Sequence, residues 1–232
     1  MEKKNTILLT VIAVATLLVA VVGATFAYFT ATTSGTTGDN ADTGAINTAQ
    51  VASVQLRTAS TGTSNETIYP GTMNYAGMSV LAEKTGENAS TDSRNYTVTY
   101  TLNGSVTLSE AFTAGDVTYT VYRTTSAVAK PVTCSPASAV ADPAGTQYTQ
   151  SCTLASELTG EGAKQVAQGT VEGTSATITA TDQVLTTGGT TYYYYLVVQY
   201  EKAGTNQNDD QNKTIQAQLT TPSITGTAEA GA

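Results

Sequence analysis

The sequence predicts an all-β chain, an antiparallel β-sandwich of jelly-roll type that follows an N-terminal hydrophobic signal helix. Three observations carry this expectation. Thr, Ser, Gly, Ala and Val dominate, and with 13 Tyr against 3 Phe and no Trp the apolar interior must come from Val, Ile, Leu and Tyr. Branched and aromatic side chains of this kind suit a pleated, half-buried surface. Beyond residue 48 the apolar positions alternate over short runs, and turn residues separate those runs. About eight or nine strands at such spacing fit a sandwich.

The elements follow in order. "VASVQLRT", Val51 to Thr58, alternates as a strand with one buried face should. Pro70-Gly71 then forces a turn, after which Met78, Val80 and Ala82 point inward. "NYTVTYTLNG" ends in Asn103-Gly104, the strongest short hairpin signal. "DVTYTVYRTT" is a further strand with Val117, Tyr119, Val121 and Arg123 on one side. Pro131, Pro136 and Pro143 break the pattern, so this stretch is expected as an irregular excursion outside the central sheets. Residues 175–182, 191–201 and 213–221 supply the late strands. "YYYYLVVQY" is apolar on both faces, as a central buried strand requires, although a subunit contact or sugar stacking would use the same rings.

Composition also excludes functions. There is no histidine, so neither a Ser-His-Asp triad nor a usual catalytic zinc site can be assembled. No acidic pair stands out for glycoside hydrolysis, and no enzymatic activity, cofactor or catalytic residue is expected. The net charge of -8 offers no basic surface for nucleic acid. Asp209 and Asp210 lie in the oxygen-rich "GTNQNDDQNK", but the calcium-loop spacing with its distal Glu is absent, so a solvated loop is expected and no metal site.

Cys134 and Cys152 are 18 positions apart, which is neither a redox Cys-x-x-Cys nor, without His, a metal set. In an exported chain they would form a disulfide, stabilising by about 3 kcal/mol; two separate free thiols are the alternative.

Residues 7–29 hold 23 positions without a charge, after Lys3 and Lys4. That is long enough for a membrane anchor with the lysines inside. The run is softened by Thr10, Thr16, Gly23 and Thr25, ends in small residues, and meets no basic cluster that would stop transfer. Cleavage as a signal peptide is therefore favoured over retention.

"KKNTILLTVIAVATLLVAVVGATFAYFTA" resembles the signal sequence of TasA/camelysin-type proteins of Gram-positive bacteria, processed by a dedicated SipW-like signal peptidase. The matching residues are Gly23, Ala24, Thr25, Phe26, Ala27, Tyr28 and Phe29, and the resemblance implies cleavage between Ala27 and Tyr28. The order "VASVQL … IYPGTMNYAGMSVLAEKTGENAS" is similar to the start of TasA-like domains. What the resemblance implies is a secreted or cell-surface structural protein, a subunit of an extracellular matrix or biofilm fibre. The expected partners are then further copies of itself and the signal peptidase, with membrane contact only through the N-terminal segment.

The expected layout is a signal peptide or anchor over residues 1–27, a flexible arm over 28–48, the sandwich over 49–222 and a flexible tail over 223–232. The arm is long enough to add a strand to a neighbouring copy, which would propagate a filament; a plain linker is the alternative. The rival function is a membrane-tethered sandwich module that binds carbohydrate or a host ligand. No Leu-Pro-x-Thr-Gly signal is present, so wall linkage through the C-terminus is not expected.

Overall fold

The computed structural model describes residues 33–34, 40–43, 52–64, 67–141 and 145–230. Ala27, Tyr28 and the apolar run lie outside them. The strands are β1 (Thr33–Ser34), β2 (Asn40–Thr43), β3 (Ser53–Thr63), β4 (Met73–Thr85), β5 (Tyr96–Leu108), β6 (Val117–Thr124) and β7 (Val132–Cys134). They continue with β8 (Ser138–Val140), β9 (Gln147–Thr149), β10 (Cys152–Leu154), β11 (Lys164–Thr170), β12 (Ser175–Thr186), β13 (Tyr192–Tyr200) and β14 (Ile215–Glu229). One short helix, α1 (Ser156–Thr159), and a 3-10 turn (Asn208–Asp210) complete the described elements.

The long strands form an antiparallel β-sandwich. One sheet runs β1-β2-β3-β4-β13-β6-β11, and the other runs β12-β5-β14. Three pairs are nested along the chain: β6 with β11, β5 with β12, and β4 with β13. A single long hairpin rolled over itself gives this nesting, which is how a jelly roll is wound. Here β14 adds a further strand on the other side of β5.

Alternation sets the core. Along β5, Tyr96, Val98, Tyr100, Leu102, Val106 and Leu108 are all buried, while the residues between them face outward. They pack against Leu56, Val80, Val121 and Leu196 of the opposite sheet. Each such side chain contributes about 1.5–3 kcal/mol on leaving water. β13 lies between β4 and β6 and is buried on both faces. Tyr194, Leu196, Val198 and Tyr200 enter the main core, and Tyr195 and Val197 enter a second one. Tyr194 and Tyr195 of the run are thus core, and half-buried Tyr192 and Tyr193 pack against the two clusters.

Pro70-Gly71 turns as expected, with the Thr72 N–H donating to the Tyr69 carbonyl at 2.8 Å and Gly71 at φ +90°. A side chain at Gly71 would collide with the Gln150 carbonyl oxygen, so glycine is required twice over. At the root of β3, Asp92 accepts from the Ala52 N–H at 2.9 Å, from Arg94 Nε at 2.8 Å and from the Tyr96 hydroxyl. The Arg94 guanidinium, then Tyr96 and Ala52, hold its carboxyl far below the usual carboxylate range.

Five expectations change. Asn103-Gly104 does not end a strand; β5 runs through it to Leu108. Gly104 serves close packing instead, since a Cβ there would meet the Gln218 carbonyl oxygen at 2.8 Å and Leu219 Cδ2 at 3.2 Å. The C-terminal tail does not begin at residue 223, because β14 stays paired with β5 as far as Glu229. Its proline, Pro222, sits in a bulge between Thr220 and Ser223, where a missing N–H costs no ladder bond. Within the expected arm, Thr33–Ser34 and Asn40–Thr43 are strands, and β2 pairs with the edge of β3 through Asn40↔Arg57 and Ala41↔Leu56. An unpaired strand edge attracts any segment that can add to it.

The proline-rich excursion lies outside the two sheets, but it is packed instead of loose. It lays Val128, Val132 and Leu158 on Tyr195 and Val197, covering the outer face of the larger sheet. The Val128 N–H donates to the Tyr195 hydroxyl at 2.7 Å. Cys134 and Cys152 face each other across β7 and β10 and form a disulfide, with Cα atoms 4.0 Å apart. Cys134→Ser should lower stability by about 3 kcal/mol and leave the β spectrum intact, because the excursion keeps its apolar footing. Urea unfolding followed by circular dichroism checks this. The fifth change concerns Asp210, which is buried, not solvated.

Candidate functional site

The smaller sheet has three strands against the larger sheet's seven, and this mismatch leaves one side of the sandwich open. Among the described residues β14 pairs only with β5, so its other edge presents a row of backbone N–H and C=O groups. β2 approaches β14 at one end of the gap and covers it there. The rest of the gap is a trough between β14 on one wall and β3 with β4 on the other.

Two adjoining cavities make up the trough, of about 540 Å³ and about 400 Å³. The first is floored by Ile68, Tyr75, Val198 and Ile215, with Ser64 and Asn74 on its rim. The second runs on past Ala76, Met78, Ala217 and Leu219. Ser64 Oγ accepts from the Tyr75 N–H at 2.9 Å and lies 3.1 Å from Asn74 Oδ1, which fixes the rim where β3 ends.

The electrostatics are muted. From Ile215 to Ala228 no residue of β14 is charged. Natural proteins usually blunt an exposed edge with lysine, proline or bulges. β14 has the proline at one bulge and a second irregularity between Ile224 and Gly226, but no lysine.

The near end of the trough is closed by a buried cluster. Asp210 accepts from the Thr113 N–H at 2.9 Å, the Ala114 N–H at 3.0 Å, the Tyr200 hydroxyl at 2.7 Å and Lys213 Nζ at 2.7 Å. Lys213 also donates to the Ala111 carbonyl at 2.6 Å. Burial pushes the Asp210 carboxyl up, but Lys213, Thr113, Tyr200 and Ala114 together outweigh it and bring it down to about 2. The same contacts push the Tyr200 hydroxyl up, burial first and then Asp210. Every donor and acceptor here has a partner, so the cluster acts as a joint between the 113–114 loop, β13 and β14.

Of the residues singled out in the sequence, Cys134 and Cys152 are brought together, and Ala27 and Tyr28 lie outside the described residues. The trough itself carries no signal in the sequence. Ala217 and Leu219 alternate with Gln216 and Gln218 like any half-buried strand. Nothing in that pattern reveals that a neighbouring strand is missing. Among the described residues no group of His, Cys, Asp and Glu could hold a metal ion, and no helix is long and apolar enough to cross a membrane. Compared with known protein families, curated proteins and solved structures, the chain matches none of them.

Proposed function

We propose that this is an exported structural protein of a Gram-positive cell surface or extracellular matrix, TasA/camelysin-like in kind, whose copies join by strand addition. The observation that supports it is the edge of β14, unpaired among the described residues and without charge from Ile215 to Ala228, beside a trough floored by Ile68, Tyr75, Val198 and Ile215. A strand laid along that edge gains main-chain hydrogen bonds, and its alternate side chains fill the trough. The contact joins two different surfaces of each copy, so it propagates instead of closing. The disulfide supports export, since such bonds persist in oxidising compartments.

The donated strand comes from residues 28–48 of a second copy, freed by cleavage after Ala27. Within the same chain, β2 occupies the β3 edge, so the segment has an internal and an external site. Deleting residues 28–44 should abolish fibres seen by electron microscopy and leave the sandwich folded, its circular dichroism losing no more than the small contribution of β1 and β2. Fibres of normal appearance from the deleted protein would refute strand donation by this segment.

A further inference from the structure

Beyond the trough, past Asn212 and Lys213, a separate concavity of about 320 Å³ opens at the end of the sandwich. Its contents differ from those of the trough. Tyr148 stands on one side, 53% exposed, the most open large apolar side chain among the described residues. Its ring lies 6.3 Å from that of Tyr69, at an interplanar angle of 49°. Facing them are the exposed amides of Gln211 and Asn212.

We propose that this concavity is a binding subsite for a neutral glycan. Three features carry the assignment. The first is a held ring. Tyr148 is the middle residue of β9, and its cross-strand partner on β8 is Ala139, whose methyl is too small to cover a phenol. The hairpin is tied to the neighbouring turn by Asn206 Nδ2 donating to the Gly145 carbonyl at 3.0 Å. A second tie is the Gln207 N–H donating to Gln147 Oε1 at 3.0 Å. Tyr69 is fixed beside it by the Pro70-Gly71 turn. A ring presented in this way costs little to order on binding.

The second feature is free hydrogen-bonding capacity. The hydroxyls of Tyr69 and Tyr148 and the side-chain amides of Gln211 and Asn212 make no hydrogen bond to the described residues. An amide offers both donors and acceptors, which is what a sugar hydroxyl pair requires. The third is the absence of net charge. The charged groups that reach the site, Asp210 and Lys213, are already engaged with each other, with Tyr200 and with Ala111. A pyranose has an apolar C–H face and a rim of hydroxyls, so ring and amides together match it. A peptide strand is less well served, because β14 begins only at Ile215 and its edge does not line this end.

The test titrates chitotetraose, cellotetraose and, as an acidic control, polygalacturonate into the intact chain by isothermal calorimetry. At least one neutral tetrasaccharide should bind, and polygalacturonate should bind more weakly. Tyr148→Ala should weaken that binding at least about tenfold, whereas Tyr148→Phe, which keeps the ring and loses only the hydroxyl, and Gln211→Ala should each weaken it by a smaller factor. Both positions are exposed, so thermal midpoints should stay at the parent value. Failure of both neutral sugars to bind, tighter binding of polygalacturonate, or parental affinity in Tyr148→Ala would each overturn the assignment. None of these results bears on fibre formation, which depends on the trough and not on this end.

Discussion

Tyr194→Ala is expected to lower the stability of the sandwich by about 4 kcal/mol, a large share of the roughly 5–15 kcal/mol that holds a domain folded. Tyr194 is fully buried at the centre of the larger sheet, opposite Met78 on β4 and Arg123 on β6. Its hydroxyl lies 2.6 Å from the Tyr100 hydroxyl, directly across the sandwich, and donates to Gln183 Oε1 at 3.3 Å. Gln183 is held in turn by Arg123 at 3.1 Å, whose guanidinium stacks 4.3 Å above the Tyr192 ring. Truncation to alanine removes the ring, leaves a cavity between two rigid sheets and strands the Tyr100 hydroxyl. Burial, against the opposing pull of Tyr100 and Arg123, pushes Tyr194 up to about 12, and burial followed by Tyr194 pushes Tyr100 up as well, so both phenols are neutral throughout the ordinary pH range.

Tyr194→Phe separates packing from the polar link. It keeps the ring and removes only the hydroxyl, so a loss of about 1–2 kcal/mol is expected from the unpaired Tyr100. Urea unfolding of both variants decides between the contributions. If the phenylalanine variant lost as much as the alanine variant, the hydroxyl pair and not the packed ring would be what joins the sheets at this point.

The fold was legible where one side chain in two is buried. β5 carries that alternation along its length and β12 carries it on either side of its bulge, while β13 was legible as a continuous apolar run, and Pro70-Gly71 marks a turn whose backbone only glycine fits. β11 was not legible. In "KQVAQGT" the apolar positions are Val and Ala beside Gln and Gly, a signal too weak to separate from the loop before it. Asn103-Gly104 misled for the opposite reason, since a strong local turn signal was overridden by strands packing on both sides of β5. Gly104 is there because the chains approach closely, and a sequence does not distinguish that use of glycine from a turn.

The lack of histidine is a matter of residue counts, whereas the disulfide was legible only as what two cysteines would form in an exported chain, with free thiols as the alternative. The trough and the end concavity were not legible, for both depend on what is missing beside β14 or on pairs distant in the chain. Tyr69 and Tyr148 are 79 positions apart and meet only because Gln150 is bonded to Pro70 and Thr72. Long-range contacts of this kind leave no local pattern. The same bonds make the end concavity dependent on the excursion, so the segment that covers the outer face of the sheet also sets the exposed Tyr148 ring beside half-buried Tyr69.

Asp210 is the second position where a large effect is expected. Asp210→Ala should cost about 3–5 kcal/mol at neutral pH, because it leaves the Tyr200 hydroxyl and the Thr113 and Ala114 N–H groups without their acceptor and removes the counter-charge of Lys213. The pH dependence gives a sharper test. The folded carboxyl is depressed to about 2 from its ordinary 3.8, so its contribution is complete above about 4 and is lost as pH falls through about 2. Asp92 is depressed as well, so the parent protein alone would report both groups. The difference in stability between the parent and Asp210→Asn removes Asp92 from the comparison. That difference should be constant from pH 5 to 8 and shrink between about pH 4 and pH 2, measured as urea midpoints across the range. A difference that stayed the same down to pH 2 would mean that the carboxylate's charge is irrelevant and that only its shape holds the joint. The outcome also matters for the trough, since Lys213 stands at its end, and an unpaired ammonium there would place a positive charge where a donated strand must pass.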